Sequence, residues 1–324
     1  MRVSEANGFC VEVIFNHTSF FKPLSPLKIM EKTEIESYKK SGEITVQVIA
    51  YAKEIIKPSV KLLDVAEKIE GKIVELGGQI AFPVNLSIDE FAAHYTPGPD
   101  DESVARGLLK VDLGVAVDGY ISDTAFSVDL TDDGKHKEMI ELNKAALDAV
   151  LGVLKPGMKV NEIGGAVSGV VGDKYSIVRN LSGHSLDKDT IHAGLTLSNY
   201  ENDNETELND IAIAIEPFLT TGVGEIYEGK DSEIYMLQKD GAVRDSDGRK
   251  ILKFVRENYK TRPFCRRWLV NAGFKKVSFV LKILTNQGIL KNFPVLVEKS
   301  KKPVSQWEHS VLIADGEAVV YTRG

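Results

Sequence analysis

Two aspartates, Asp112 and Asp123, lie in a segment whose sequence predicts a β-hairpin. Strand-forming residues flank the dipeptide Asp118-Gly119, which tolerates the positive φ angles of a two-residue turn. If this dipeptide is the turn, Asp112 lies opposite Ala125. Side chains alternate between the two faces of a strand, so the two aspartates share one face as diagonal neighbours, roughly 7–8 Å apart at Cβ. The sequence therefore predicts a pair of carboxylates on one half-buried face.

Two such carboxylates repel each other and are costly to desolvate without a partner. A basic side chain could be that partner, but a pair of divalent metal ions roughly 3.5–4 Å apart fits the chemistry better. The alternative is that one aspartate points to solvent at a strand end. The other positions predicted on this face are mostly small and leave space between the carboxylates: Gly114, Ala116, Ile121 and Ala125.

Four further residues have side chains that bind metals or transfer protons: His184, His192, Glu216 and Glu308. Each also has an ordinary explanation, since a single histidine is more often a hydrogen-bonded structural group, and a glutamate at a strand end is usually solvated. Taken with the two aspartates, they form an oxygen-rich set with an imidazole. Such a set suits Mn, Co, Fe or Zn.

The elements that would position these residues follow a repeated pattern. Helical spacing of apolar residues extends from Ile35 to Pro58, and a second helix ends at Gly77-Gly78. After the hairpin, a helix over residues 139–154 and a shorter one over 161–171 precede more strand-like sequence. A helix pair followed by strands, twice over, predicts two related α+β halves that share a sheet.

The rest of the chain contains two strands and one distinct block. Residues 211–215 are apolar and predict a buried strand that ends at Glu216, and residues 304–313 predict a strand that contains Glu308. Between them, residues 235–293 have a helical and basic pattern and look like an insertion. Residues 1–29 show no sustained period.

Composition indicates a globular protein of a reducing compartment. The 324 residues are 43% hydrophobic and 27% charged, and Cys10 and Cys265 are too few for a disulfide framework or a cysteine zinc site. No apolar run approaches the roughly 18 residues of a membrane span. The apolar run at residues 8–15 is short and broken by Glu12, which argues against a signal peptide. We therefore expect a cytoplasmic location and no membrane partner.

Charge is distributed unevenly along the chain. The net charge is −7, yet residues 249–302 contain 15 Lys and Arg against two acidic residues. This block therefore carries a net charge of +13, and the rest of the chain carries −20. Such a block could face nucleic acid, or it could be a solvated helical surface or pair with acidic groups of the body.

On these motifs the sequence resembles the methionine aminopeptidases, pita-bread metallopeptidases, and in particular their type II branch as found in archaea. The resemblance covers about residues 30–324, in order and with the family's spacing. The matching motifs, besides the hairpin, are Ala92-Ala93-His94-Tyr95-Thr96-Pro97, Arg179-Asn180-Leu181-Ser182-Gly183-His184-Ser185, Ile191-His192-Ala193-Gly194, Ile215-Glu216-Pro217-Phe218, Phe264-Cys265-Arg266-Arg267-Trp268-Leu269 and Gln306-Trp307-Glu308-His309.

The resemblance implies an α+β pita-bread fold, with pseudo-twofold α/β halves around a central antiparallel sheet. Residues 30–232 and 294–324 would form the catalytic domain, and residues 233–293 the helical insertion subdomain that marks type II. Residues 1–29 would be an N-terminal extension.

The family's functional residues fall on eleven positions of this sequence. Two divalent metal ions (Co, Mn, Fe or Zn) would be held as follows: Asp112 on one, His184 and Glu216 on the other, Asp123 and Glu308 bridging both. Catalytic roles would fall on His94 and His192, which contact the scissile peptide, and on Glu216, which shuttles a proton. The methionine pocket would be Phe82, Ile191, Phe218 and Phe293, with Ile234 at a position that is histidine in some relatives.

The implied activity is co-translational removal of the initiator methionine from nascent proteins whose second residue is small, by attack of metal-activated hydroxide. The substrates would be N-terminal Met peptides and nascent chains, the enzyme would be a monomer, and the basic insertion could dock on the ribosome.

Two other functions stay open on the sequence alone. Prolidases and proline-specific aminopeptidases share the fold and similar ligands, but they typically carry a large N-terminal domain, for which the 110 or so residues before the hairpin leave no room. A ribosome- or RNA-binding relative without catalysis would suit the basic block, but such relatives lack several ligands, and here all five positions are filled.

Overall fold

A computed structural model of the chain describes residues 29–324, so the predicted extension over residues 1–29 falls outside it apart from Ile29. The helices of the described range are α1 (Lys32–Ile55), α2 (Leu62–Glu75), α3 (Lys137–Val153), α4 (Val160–Val171), α5 (Ser246–Asn258), α6 (Arg266–Asn271) and α7 (Val277–Asn286). The strands are β1 (Gln79–Ile88), β2 (Phe91–Ala93), β3 (Leu108–Val117), β4 (Tyr120–Asp129), β5 (Ser176–Ile177), β6 (Ser182–Leu186), β7 (Thr196–Ser198), β8 (Ile211–Ile215), β9 (Phe218–Thr220), β10 (Ile226–Leu237), β11 (Phe264–Cys265), β12 (Leu290–Glu298), β13 (Val304–Gln306), β14 (His309–Ala314) and β15 (Glu317–Val320).

The hairpin of β3 and β4 has the predicted register. Val117 pairs with Tyr120 across the turn, and Asp112 pairs with Ala125. Asp118 and Gly119 have φ angles of 52° and 89°, so both turn residues adopt the left-handed conformation that favours Asp-Gly. Local turn chemistry thus determines how the two aspartates face each other.

The first half packs α1 and α2 on the antiparallel sheet β1-β3-β4. Strand β1, which contains Pro83, was not predicted from the sequence. Proline lacks the N–H that a ladder requires, and the pairing of β1 with β3 shifts register on both sides of Phe82. Gly114 makes this close pairing possible, because a Cβ there would lie 2.3 Å from the Phe82 ring.

The second half packs α3 and α4 against the sheet β15-β14-β8-β6-β7. Two helix pairs on antiparallel sheets confirm the predicted pair of α+β halves, although the hydrogen-bonded strands form a separate sheet in each half instead of the shared sheet that the pattern predicted. The halves meet where β4 approaches the start of β14, since Glu308 N–H donates to Ala125 O over 2.9 Å. The strand predicted over residues 304–313 is broken there into β13 and β14. This break lets Glu308 reach across to the first half.

The block over residues 235–293 is helical only in its middle. Helices α5, α6 and α7 share an apolar core, but β10 and β12 form an antiparallel pair at the two ends of the block, with β11 and β2 beside them. The interpretation of the whole block as helical was therefore wrong at both ends. Strand β10 begins at Ile226, before the block, so only its last three residues fall inside the block, too few to show strand alternation.

Within residues 29–324, every helix is too short or too polar to cross a membrane.

Candidate metal centre and its cavity

Three of the candidate ligands come together through strand register in the second half. His184 on β6 pairs with Ala214 on β8, and His309 on β14 pairs with Ile215 at the end of β8. Glu216 follows β8 and Glu308 precedes β14, so all three side chains lie at the same end of the sheet. The close packing of β6 on β8 needs Gly183, since a Cβ there would lie 2.3 Å from Ala214 O.

The hairpin brings Asp112 and Asp123 to the same point from the first half. Ser310 on β14 fixes Asp123 in place, because its hydroxyl accepts from Asp123 N–H over 2.8 Å and donates to Asp123 O over 2.7 Å. The Thr124 hydroxyl donates to Glu308 O over 2.8 Å. Strand β4 is thus joined directly to Glu308 and to the start of β14. Ser310 was not among the site residues predicted from the sequence.

The distances in the cluster are those of a cation site. His184 Nε2 lies 3.7 Å from Asp123 Oδ2 and 3.5 Å from Glu216 Oε1. One ligand atom from each of Asp123, His184 and Glu308 lies within 4.8 Å of the other two. A single ion could therefore contact all three side chains.

Gln306 is a second functional residue to which the sequence analysis gave no role. Its amide nitrogen lies 3.3 Å from Asp112 Oδ2 and 3.4 Å from Glu216 Oε2, so one buried side chain donates to a carboxylate of each half. Gln306 precedes Glu308 by two positions in a strand-like segment. Residues two positions apart on a strand share a face, so this spacing could have indicated that Gln306 lies near the carboxylates.

The electrostatics of the cluster are unfavourable without a cation. Burial raises the pKa of Asp112 to about 7, although the Gln306 hydrogen bond opposes this. The pKa values of Asp123, Glu216 and Glu308 also lie well above the usual range, through burial first and then through repulsion by neighbouring carboxylates. Burial lowers the pKa of His184 to about 4, which keeps its imidazole neutral and able to bind a metal.

Some buried polar atoms of the cluster have no hydrogen-bond partner. Among the described residues, four buried candidate-ligand atoms accept or donate no hydrogen bond: Asp112 Oδ1, Asp123 Oδ1, His184 Nδ1 and Glu308 Oε2. Buried carboxylates with free lone pairs require a positive partner. Divalent metal therefore fits this set of side chains.

Two candidate catalytic histidines flank the cluster. The ring of His192 lies 4.3 Å from that of His184, centroid to centroid. His94 has a left-handed φ of 65°, and its Nδ1 lies 3.1 Å from Pro294 O. Burial lowers the pKa of His94 to about 4, so the neutral ring donates from Nδ1 to this carbonyl and Nε2 has a free lone pair.

The predicted residues line a single cavity of about 460 Å³. All eleven candidate site residues line it, as does Ile234. Phe82, Ile191, Phe218 and Phe293 are buried, and the Phe293 ring packs edge-on against His94. The cavity thus combines a carboxylate-rich part with an aromatic and aliphatic wall, the composition of a site that binds an apolar side chain beside reacting groups.

Comparison with known proteins identifies the family. The sequence profile of metallopeptidase family M24 matches residues 36–248. A methionine aminopeptidase of Archaeoglobus fulgidus is 40% identical over 287 residues, which cover 87% of this chain and 96% of that protein. The chain belongs to the methionine aminopeptidases of metallopeptidase family M24. It is a hydrolase of the aminopeptidase class that uses divalent metal and removes initiator methionine.

Solved structures agree on the fold. The structure of a thermophilic Arx1 has a TM-score of 0.79 at 16% identity, covering 90% of this chain and 91% of that one. The crystal structure of methionine aminopeptidase from Rickettsia prowazekii has a TM-score of 0.66 at 17% identity, covering 92% and 100%. The predicted pita-bread fold is thereby confirmed for this M24 member.

Proposed function

We propose that the enzyme releases methionine from nascent chains with a small second residue, using two divalent ions. The observation that carries this proposal is that the five candidate ligands line one cavity together with buried aromatic and aliphatic side chains. Asp112 would hold one ion, His184 and Glu216 would hold the other, and Asp123 and Glu308 would contribute to both. With four carboxylates and one imidazole, the site suits Mn, Co, Fe or Zn.

Bound ions supply a water of lowered pKa and polarise the scissile carbonyl. Glu216 accepts the water proton and returns it to the leaving amine. His192 donates to the carbonyl oxygen as negative charge develops there, which stabilises the transition state more than the substrate. The hydrogen bond to Pro294 leaves His94 with an accepting Nε2, so we assign it to the N–H of the scissile peptide rather than to the oxyanion.

Methionine recognition is assigned to the apolar wall. Phe82, Ile191, Phe218 and Phe293 offer flat and branched surfaces to an unbranched thioether, which adapts well to such a pocket. Ile234 lines the same cavity and is 3% exposed. Its side chain offers no hydrogen bond, so this part of the pocket selects by shape alone.

Peptide selectivity tests this function. We expect release of free methionine from Met-Ala-Ser and a kcat/KM about 10–200-fold lower for Met-Leu-Ser, because a larger second residue must fit beside the methionine in the same cavity. Leu-Ala-Ser serves as the control for the first position and should also be poor. Equal cleavage of Met-Ala-Ser and Met-Leu-Ser would rule out the proposed specificity.

We further propose a cytoplasmic, monomeric enzyme that meets its substrates at the ribosome. Part of the basic excess pairs within the protein, for example Arg267 with Glu70 and Lys299 with Glu225. Lys275 and Lys282 are exposed on or next to α7, and Phe279 between them is 63% exposed. An exposed aromatic ring among lysines favours binding to an anionic surface such as ribosomal RNA.

Co-sedimentation with ribosomes tests this docking. Reversing the charges of Lys275, Lys276 and Lys282 should weaken binding, and binding of the unchanged protein should fall steeply with salt as counterions are released. The matched control reverses Lys32, Lys39 and Lys40, which are exposed on α1, and should bind as before. If the α7 variant sediments with ribosomes like the control while peptide cleavage stays normal, this surface does not dock.

A further inference from the structure

The insertion contributes a largely buried segment, residues 259–268, that contacts both loops bearing the candidate catalytic histidines. We propose that Arg262 and Arg267 in this segment are positioning residues, Arg262 for His192 and Arg267 for His94. The inference rests on the proposed roles of the two histidines. It assigns the insertion a part in catalysis that is separate from any docking surface.

The contact with the His192 loop is made through Asp189. Lys260 Nζ lies 2.6 Å from Asp189 Oδ2, and Arg262 Nε lies 3.3 Å from Asp189 Oδ1. The Thr261 hydroxyl donates to Asp189 O. Three consecutive residues of the insertion therefore hold one residue of the loop, three positions before His192.

Asp189 also connects this contact to the turn of the central hairpin. Its N–H donates to Gly119 O over 2.8 Å, in the turn of the hairpin that carries Asp112 and Asp123. Arg262 extends the connection, because its Nη1 donates to Ile80 O on β1 over 3.3 Å. The loop before His192 is thus fixed to the hairpin and to the insertion at the same residue.

The contact with the His94 loop is made by Arg267 directly. Its Nε donates to Pro97 O over 3.2 Å and its Nη2 to the Thr96 hydroxyl over 3.4 Å. The same guanidinium forms a two-pronged ion pair with Glu70 on α2, at 2.6 and 3.0 Å. The residues that follow His94 are thereby tied to a helix of the first half.

Burial and backbone conformation indicate why these contacts matter. Arg262 and Arg267 are 4% and 1% exposed, so both charges are held out of water at a cost. His94 has a φ of 65°, a conformation that persists only when surrounding contacts enforce it. A shift of about 1 Å in a catalytic group can lower a rate about 100-fold. Rigid support for both histidines therefore has a direct consequence for turnover.

Double-mutant cycles on the full-length, metal-loaded enzyme test the inference with Met-Ala-Ser as substrate. Arg262→Lys should lower kcat about 10- to 100-fold, since the loop geometry loosens, with KM and bound metal near wild type. In a His192→Ala background the same change should alter kcat by no more than about twofold, because the group it positions is gone. The second cycle combines Arg267→Lys with His94→Ala. Arg267→Lys should lower kcat in the wild-type background and have little effect once His94 is absent.

Matched controls separate positioning from stability. Trp268→Phe removes the indole donor to Glu70, 2.8 Å away, without removing the contacts to Thr96 and Pro97, and should leave kcat unchanged. Arg256→Ala breaks the ion pair with Asp240 inside the insertion and should do the same. If Arg262→Lys does not fold, Asp189→Asn keeps the side-chain shape while removing the charge, and the same outcomes are expected.

The outcomes distinguish failure of the positioning role from failure of the proposed function. The positioning role is overturned if an arginine substitution lowers kcat equally with and without the histidine it is paired with, or does not lower kcat at all. The proposed function would still stand. A wild-type enzyme that releases no methionine with any metal would overturn the proposed function, and this inference with it.

Discussion

Replacing Asp123 or Glu308 with alanine is expected to abolish the paired metal site and methionine release together. Each of these residues bridges both ions in the proposed arrangement, and each is almost fully buried, at 4% and 1% exposure. Metal ions supply several kcal/mol of transition-state stabilisation, and each 1.4 kcal/mol is a factor of ten, so the loss of kcat should reach about 10³-fold or more. Metal content and initial rates, measured on the same preparations, check this.

The matched control for these variants is Asp118→Asn. Asp118 is an exposed carboxylate in the turn of the same hairpin, and asparagine also accepts its positive φ of 52°. This variant should keep both metal and activity. A variant at Asp123 or Glu308 that still binds two ions per chain would show that the bridging assignment is wrong.

Replacing His192 with alanine is expected to lower kcat about 10²- to 10³-fold, the usual effect of removing one donor to a developing oxyanion. Bound metal should stay near the wild-type amount, because His192 is not one of the five proposed ligands and its ring packs edge-on against that of the proposed ligand His184. KM should change little, since the donor acts mainly in the transition state.

His136→Ala is the control for removal of an imidazole. His136 lies at the N-terminus of α3, outside the cavity lining, and its loss should leave kcat unchanged. If His192→Ala loses its metal, then His192 belongs to the metal centre and its assignment as an oxyanion donor must be abandoned.

The sequence predicts those parts of the fold that depend on local chemistry. Asp118-Gly119 specifies a two-residue turn, and a turn of known length sets the register of the whole hairpin. The relative placement of Asp112 and Asp123 follows from that register alone. Apolar periodicity likewise predicts α1 to α4, because each of these helices buries one face.

Elements that depend on distant partners are not predictable in this way. Strand β1 is irregular around Pro83 and is held by its pairing with β3, which includes the contact between Phe82 and Gly114. Strands β10 and β12 pair across the whole insertion, between positions more than fifty residues apart. Such pairings are decided by tertiary packing rather than by local preference.

The candidate site shows the same division. Motif resemblance indicated eleven residues that surround the cavity, but their roles stay predictions until tested. Gln306 and Ser310 were missed as functional residues, because each acts by joining carboxylates or strands from different halves. The contacts of Arg262 and Arg267 with the histidine loops could not be predicted from the sequence either, because the contacting residues lie far apart along the chain and meet only through tertiary packing.

Measuring methionine release after metal removal tests most directly whether the reaction depends on metal bound at the buried carboxylates. The enzyme is chelated exhaustively, and hydrolysis of Met-Ala-Ser is measured before and after Mn, Co, Fe or Zn is added back. We predict that the chelated protein releases no methionine and that at least one of these ions restores release. Undiminished release by the metal-free protein would contradict the account, because the buried carboxylates would then have no role in the reaction.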